Sequence, residues 1–263
     1  MPEDSPFRQR RSDVAARHME PEVHLLRDGI VCDTDSRGHP TPENLDPLEL
    51  VVDASEGFIP LWDQDVTLRW RFQKRSLELF QDPSAAADGI TRLFGEALLA
   101  WGDAAPIKFA NRNDKWDFEI VVSGADDCSP NGCVLAKAFF PDGGRHELII
   151  YPEMFNQSHK EQRDTVAHEL GHCFGLRHFF ALVREQAFPA EIFGEHKPFS
   201  IMNYGDMGQL TDADKSDLST LYKRAWSGEL KDINGTPIRL VRPFSSLAPV
   251  PSGVFAFAGA DGR

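Results

Sequence analysis

Two hydrophobic periods mark the middle of the chain. Residues 67–72 (TLRWRF) alternate, placing Leu68, Trp70 and Phe72 on one face, the pattern of a half-buried strand. After Pro83, the positions Ile90, Leu93, Phe94, Ala97, Leu98 and Trp101 recur at i, i+3, i+4, i+7, i+8 and i+11, which predicts an amphipathic helix stopped by Gly102. Residues 108–110, 118–122, 134–140 and 147–151 read as short strands separated by Gly, Pro, Asn and Asp clusters. A second helix opens at Ser158, where Glu161 three residues on completes a capping box, and it runs into the early 170s. A third opens at Thr211 with the same pattern (TDAD), continues through Leu218, Leu221, Tyr222 and Ala225, and should end at Gly228. This order predicts an α/β (α+β) sandwich built on a mixed sheet.

The ends lack such periodicity. Residues 1–57 carry prolines at 2, 6, 21, 40, 42 and 47 and many charges, the texture of an N-terminal tail, a pro-segment or a wrapping arm rather than a packed element. Residues 229–263 read as a largely irregular extension with a hairpin or strand near 237–241, leaving 58–228 as the packed domain. With 28 Lys and Arg against 41 Asp and Glu, the formal charge is −13, which disfavours nucleic acid and anionic lipid surfaces as partners. No apolar run approaches the length of a spanning helix, and the first residues do not read as a secretory signal, so localisation stays open.

The chemistry sits inside the second helix, in His168-Glu169-Leu170-Gly171-His172-Cys173-Phe174-Gly175-Leu176-Arg177-His178. Helical residues four apart lie about 6 Å apart along the axis and some 40° apart in azimuth, so His168 and His172 can converge on one ion. On a continued helix His178 would face away; the chain must turn first, and Gly175 can adopt the positive φ such a turn requires. Three imidazoles leave a fourth position for water, whose pKa a zinc ion lowers from about 15.7 towards 7. Glu169, beside the first ligand, is placed to take the proton of that water and pass it to a leaving amine. The expected activity is zinc-dependent peptide-bond hydrolysis with one catalytic Zn²⁺; a catalytically silent zinc-binding interaction module is the alternative.

These residues resemble the signature of the metzincin metallopeptidases, H-E-x-x-H-x-x-G-x-x-H followed by a methionine-containing turn, for which Ser200-Ile201-Met202-Asn203-Tyr204 is the match. The run Leu135-Ala136-Lys137-Ala138-Phe139-Phe140-Pro141 looks most like the matrixin type, and the resemblance covers roughly residues 60–226. It implies a twisted five-stranded mixed sheet with an antiparallel edge strand, packed on two long helices, and a third helix after the Met-turn. It also implies Met202 as an apolar base beneath the histidines, and an edge strand at Leu135 and Ala136 that receives a polypeptide substrate in extended form. A monomer suffices, without nucleic acid or membrane insertion. Lys137 stands where vertebrate-type matrixins have a histidine for a second zinc, so one zinc is expected.

Other residues carry competing readings. Tyr204 follows Met202 as in astacins and serralysins, and either stabilises an oxyanion or is simply packed. Cys32 is a candidate latency ligand like the pro-segment cysteine of matrixins, but it lacks the proline-flanked motif of that switch, and an inert thiol is the favoured account. Cys128 and Cys133 are spaced to close a local loop in an oxidising compartment, and Cys173 is expected to pack as a small hydrophobe. Asp126 and Asp127 suit either a calcium site or, with more weight, a solvated acidic loop. Residues 179–199 form a long connection that either shapes a specificity pocket or covers the core.

Overall fold

The computed structural model describes residues 24–27, 29–32, 50–53, 57–130, 132–178, 190–193, 200–202 and 208–246. In chain order the elements are β1 (His24–Arg27), β2 (Gly29–Cys32), β3 (Leu50–Asp53), β4 (Ile59–Trp62), β5 (Thr67–Phe72), α1 (Lys74–Leu77), α2 (Pro83–Trp101), β6 (Lys108–Asn111) and β7 (Phe118–Val122). There follow β8 (Asp127–Ser129), β9 (Gly132–Val134), β10 (Ala136–Lys137), β11 (His146–Ile150), α3 (His159–Cys173), β12 (Ala190–Phe193), α4 (Asp212–Trp226), β13 (Asp232–Ile233) and β14 (Thr236–Val241). None of the described helices is long and apolar enough to cross a membrane.

The central sheet has five strands in the order β10-β11-β7-β5-β6. Its edge strand β10 runs antiparallel to β11, and the remaining pairings are parallel. Alternation does what the sequence pattern requires: Leu68 and Trp70 on β5, and Phe118, Ile120 and Val122 on β7, are buried. Phe94 of α2 meets Trp70 at 5.4 Å and Phe109 at 5.3 Å between ring centroids, locking helix to sheet. The two predicted capping boxes are present, Ser158 with Glu161 and Thr211 with Asp214, and the structure adds an N-cap for α2, where Asp82 accepts from the backbone of Ser84 and Ala85.

The stretch 134–140, expected as one strand, is divided. Its first residue closes β9 and residues 136–137 form β10; Phe139 then leaves the ladder to stack on His146 at 4.4 Å and to meet Phe118 at 5.2 Å. A disulfide joins Cys128 to Cys133, directly opposite each other in the β8–β9 hairpin.

The terminal regions contribute strands to this scaffold. β2 lies parallel to β9 in a second sheet of order β1-β2-β9-β8, while β3 pairs antiparallel with β12 and bridges from Val52 to Leu176. Cys32 and Val52 are both fully buried. At the other end β14 forms a hairpin with β13 and lies parallel to β4. The buried carboxylate of Asp117 accepts from the backbone and hydroxyl of Ser245 and from the backbone of Arg69, tying the chain after β14 to the sheet.

Three aromatic donors hold α3 in place. The Trp101 indole donates to the Ala167 carbonyl at 2.9 Å, the Trp62 indole to that of Cys173 at 2.7 Å, and the Tyr222 hydroxyl to that of Phe174 at 2.9 Å. The last two satisfy carbonyls that the helix end leaves without intrahelical partners. Tyr222 also accepts from the backbone N–H of Trp62 at 3.3 Å, so β4, α3 and α4 meet at one hydroxyl. Burial pushes its ionisation far above the usual phenol range, keeping it a donor at any working pH. Removing it in Tyr222→Phe strands two buried backbone groups and is expected to destabilise the fold by about 1–3 kcal/mol, measured by urea denaturation.

Candidate metal centre

His168 and His172 project from one face of α3, as their spacing predicts, and both are buried. The helix then ends in a Schellman turn. Leu176 N–H donates to the Gly171 carbonyl at 3.0 Å, Gly175 N–H to that of His172 at 2.8 Å, and Gly175 has φ +90°. A Cβ at this glycine would strain the backbone and sit 3.2 Å from the Pro60 carbonyl oxygen. The turn brings His178 back, fully buried, with its Nε2 3.0 Å from that of His168; His168 and His172 Nε2 lie 3.1 Å apart.

Tautomers follow from the opposite side of each ring. His168 Nδ1 lies 2.8 Å from the Ile201 carbonyl oxygen, and His172 Nδ1 lies 2.8 Å from that of Leu176. A carbonyl can only accept, so both Nδ1 atoms carry the proton and both Nε2 atoms present lone pairs to the same point. Bare nitrogens this close, away from water, repel unless a cation lies between them. Cys32 Sγ lies 3.7 Å from His172 Nε2, and Cys32, His168, His172 and His178 offer ligand atoms all within 4.8 Å of one another. A tetrahedron with ordinary zinc bond lengths has edges of about 3.3 Å between nitrogens and about 3.6 Å from nitrogen to sulfur. The donor set therefore fits zinc in both chemistry and size.

Glu169 is buried beside these ligands, with its Oε1 3.7 Å from Cys32 Sγ, which donates to it. Met202 lies against α3. A Cβ built on Gly171 would come within 2.5 Å of its sulfur, so a glycine one residue before His172 is what admits the methionine. The turn containing Met202 also supplies the Ile201 carbonyl that orients His168, and Ser200 Oγ accepts from Met202 N–H. Of the edge residues, Ala136 opens β10 and Leu135 accepts from the backbone of Tyr151; both side chains are buried. Tyr204 and residues 179–189 and 194–199 lie outside the described residues. Asp126 accepts from the backbone of Glu153, and burial raises its carboxyl above the ordinary value.

Cys32, whose flanking sequence favours an inert thiol, is brought by the fold to the histidines. Phe140, to which no sequence pattern assigns a role at the site, has its ring edge-on to His172 at 5.5 Å, and the buried Arg177 guanidinium lies 5.8 Å from the centre of the same ring. Cys173 packs as expected. Burial, reinforced by the Glu169 charge, drives its thiol well above the normal range. A large open cavity of about 920 Å³ is lined by Phe140 and Pro141 among others, but none of the three histidines borders it.

The fold and site together define a buried three-histidine, one-cysteine centre on a mixed α/β scaffold. No family model matches the chain, and no curated protein matches it in sequence. Among solved structures it is similar to high choriolytic enzyme 1, a hatching enzyme zinc-protease from the medaka fish Oryzias latipes. Identity is 15%, the match covers 62% of this chain and 94% of that one, and the TM-score is 0.42.

Two outcomes follow from the packing of the site. Gly171→Ala must displace Met202 and is expected to cost about 1–3 kcal/mol of stability, read from thermal unfolding of the zinc-loaded protein. Cys173 is expected to resist iodoacetamide at pH 8 in the folded protein and to react once urea unfolds it, as followed by mass spectrometry.

Proposed function

We propose that the chain is a zinc-dependent endopeptidase of the metzincin type, held latent by its own N-terminal segment. The observation that carries this reading is the convergence of three Nε2 atoms, two of them fixed as lone-pair donors, with Glu169 beside them. His168, His172 and His178 would hold the ion. Bound zinc supplies Lewis acidity and brings the pKa of water into the neutral range. Glu169 acts as the base that takes a proton from the attacking water and returns it to the leaving amine nitrogen. Its burial strengthens that exchange by excluding competing solvent. The substrate is an extended polypeptide lying along the edge at Leu135 and Ala136.

Latency rests on Cys32. Its thiol stands where a fourth ligand belongs and also meets Glu169, so one side chain blocks both the water position and the base. A cysteine in this role, together with the Leu135-Ala136 run, supports a matrixin-like subtype. The tyrosine after the methionine, Tyr204, is kept as a candidate oxyanion donor.

A second reading has its own support: a closed set of three histidines and one cysteine is also what a structural zinc site uses. Substitutions separate the two. On a peptide library scored by mass spectrometry, Cys32→Ala is expected to cleave at least ~10-fold faster than the intact chain, because removing the blocking ligand restores the competent fraction. Glu169→Ala in the Cys32→Ala background should lose ~10²–10⁴ of that rate while keeping its zinc. Zinc retained in Cys32→Ala with no cleavage at all would instead favour the structural module.

A further inference from the structure

The Cys128–Cys133 disulfide stands one strand away from the Cys32 latch. It links directly opposed residues of β8 and β9, and Cys133 in turn faces Ile30 of β2 in the parallel pairing of β2 with β9. The register continues with Val31 opposite Val134, and the next residue is Cys32 itself. β9, which carries Cys133, thus pairs directly with β2, the strand that delivers the thiol to His172 and Glu169. β8 and β9 have three residues each, and hairpins this short are marginal without reinforcement. Cys128 is exposed, so the bond is open to attack from solvent.

Resting on the latent-peptidase reading, we propose that this disulfide controls the latch: its reduction loosens β9, frees β2 and withdraws Cys32 from the histidines. The co-reactant is a soluble or protein dithiol. One thiolate of the dithiol attacks a sulfur of the disulfide and forms a mixed disulfide, releasing the other cysteine as a thiol. The second thiolate then displaces the remaining cysteine. Cys128 and Cys133 end as two thiols, the dithiol as a disulfide, and two electrons and two protons have passed to the protein. Cys32 changes place in this scheme but not oxidation state.

The test uses the full zinc-loaded chain and the Cys128→Ser, Cys133→Ser double variant, with wild type reduced by dithiothreitol as a second route to the open hairpin. Two readouts are followed: maleimide labelling of Cys32, mapped by mass spectrometry, and amide hydrogen exchange over β2 and α3. The expected result is labelling of Cys32 at least ~10-fold faster when the hairpin is open, the least effect a disulfide of ordinary strength should have. Faster exchange in β2 should accompany it, with α3 unchanged. Equal labelling rates with and without the disulfide overturn the proposal. So does faster exchange throughout α3, which would make the disulfide a support of the whole domain. Protection of Cys32 that depends on the disulfide, in a protein where Cys32→Ala fails to cleave, would remove the peptidase reading and leave the mechanical coupling standing. Cleavage by Cys32→Ala with disulfide-independent protection would do the reverse.

Discussion

Three buried imidazole nitrogens, with those of His172 and His178 each within 3.1 Å of that of His168, are the constraint from which the rest of the structure follows. Two of them present lone pairs because backbone carbonyls hold their opposite protons, and those two lone pairs, 3.1 Å apart, repel unless a cation lies between them. The scaffold meets this demand at the end of a helix, where backbone groups are otherwise unsatisfied. Trp62 and Tyr222 reach those carbonyls from β4 and α4, and the Schellman turn at Gly175 uses two more, which leaves the chain free to return with His178. The same contacts that finish the helix therefore aim the ligands.

Around this centre the N-terminal segment is built in from two sides. β2 extends the β8–β9 hairpin and β3 extends β12, while Val52 bridges to Leu176, the residue whose carbonyl orients His172. Backbone pairing supplies the register, and a single side chain, Cys32, supplies the contact with the chemistry. Strand addition of this kind needs little sequence specificity, which explains how a proline-rich, highly charged stretch can still deliver a thiol to a defined point.

Much of this was legible in the sequence because its physical causes are local. The capping residues Asp214 and Glu161, the amphipathic face of α2, and the His168, His172 and Gly175 spacing each depend on neighbours within a turn or two, and they stand where their pattern predicts. β2 and β3 were not legible: their partners lie about 100 and about 140 residues on, and strand formation there depends on pairing rather than propensity. The early end of β10 escaped for a similar reason, since beyond Lys137 the ring of Phe139 stacks on His146, a tertiary contact. The flanking residues of Cys32 are those of an inert thiol, and the geometry that brings it to His172 is tertiary and leaves no local pattern. Trp62 and Tyr222 carried no signal in sequence beyond that of core aromatics.

The most direct test of this account is zinc X-ray absorption on the intact, zinc-loaded chain. It predicts a shell of three nitrogens at about 2.0–2.1 Å and one sulfur at about 2.3 Å. A first shell of nitrogen and oxygen alone, with no sulfur, would contradict the placement of Cys32 on the centre.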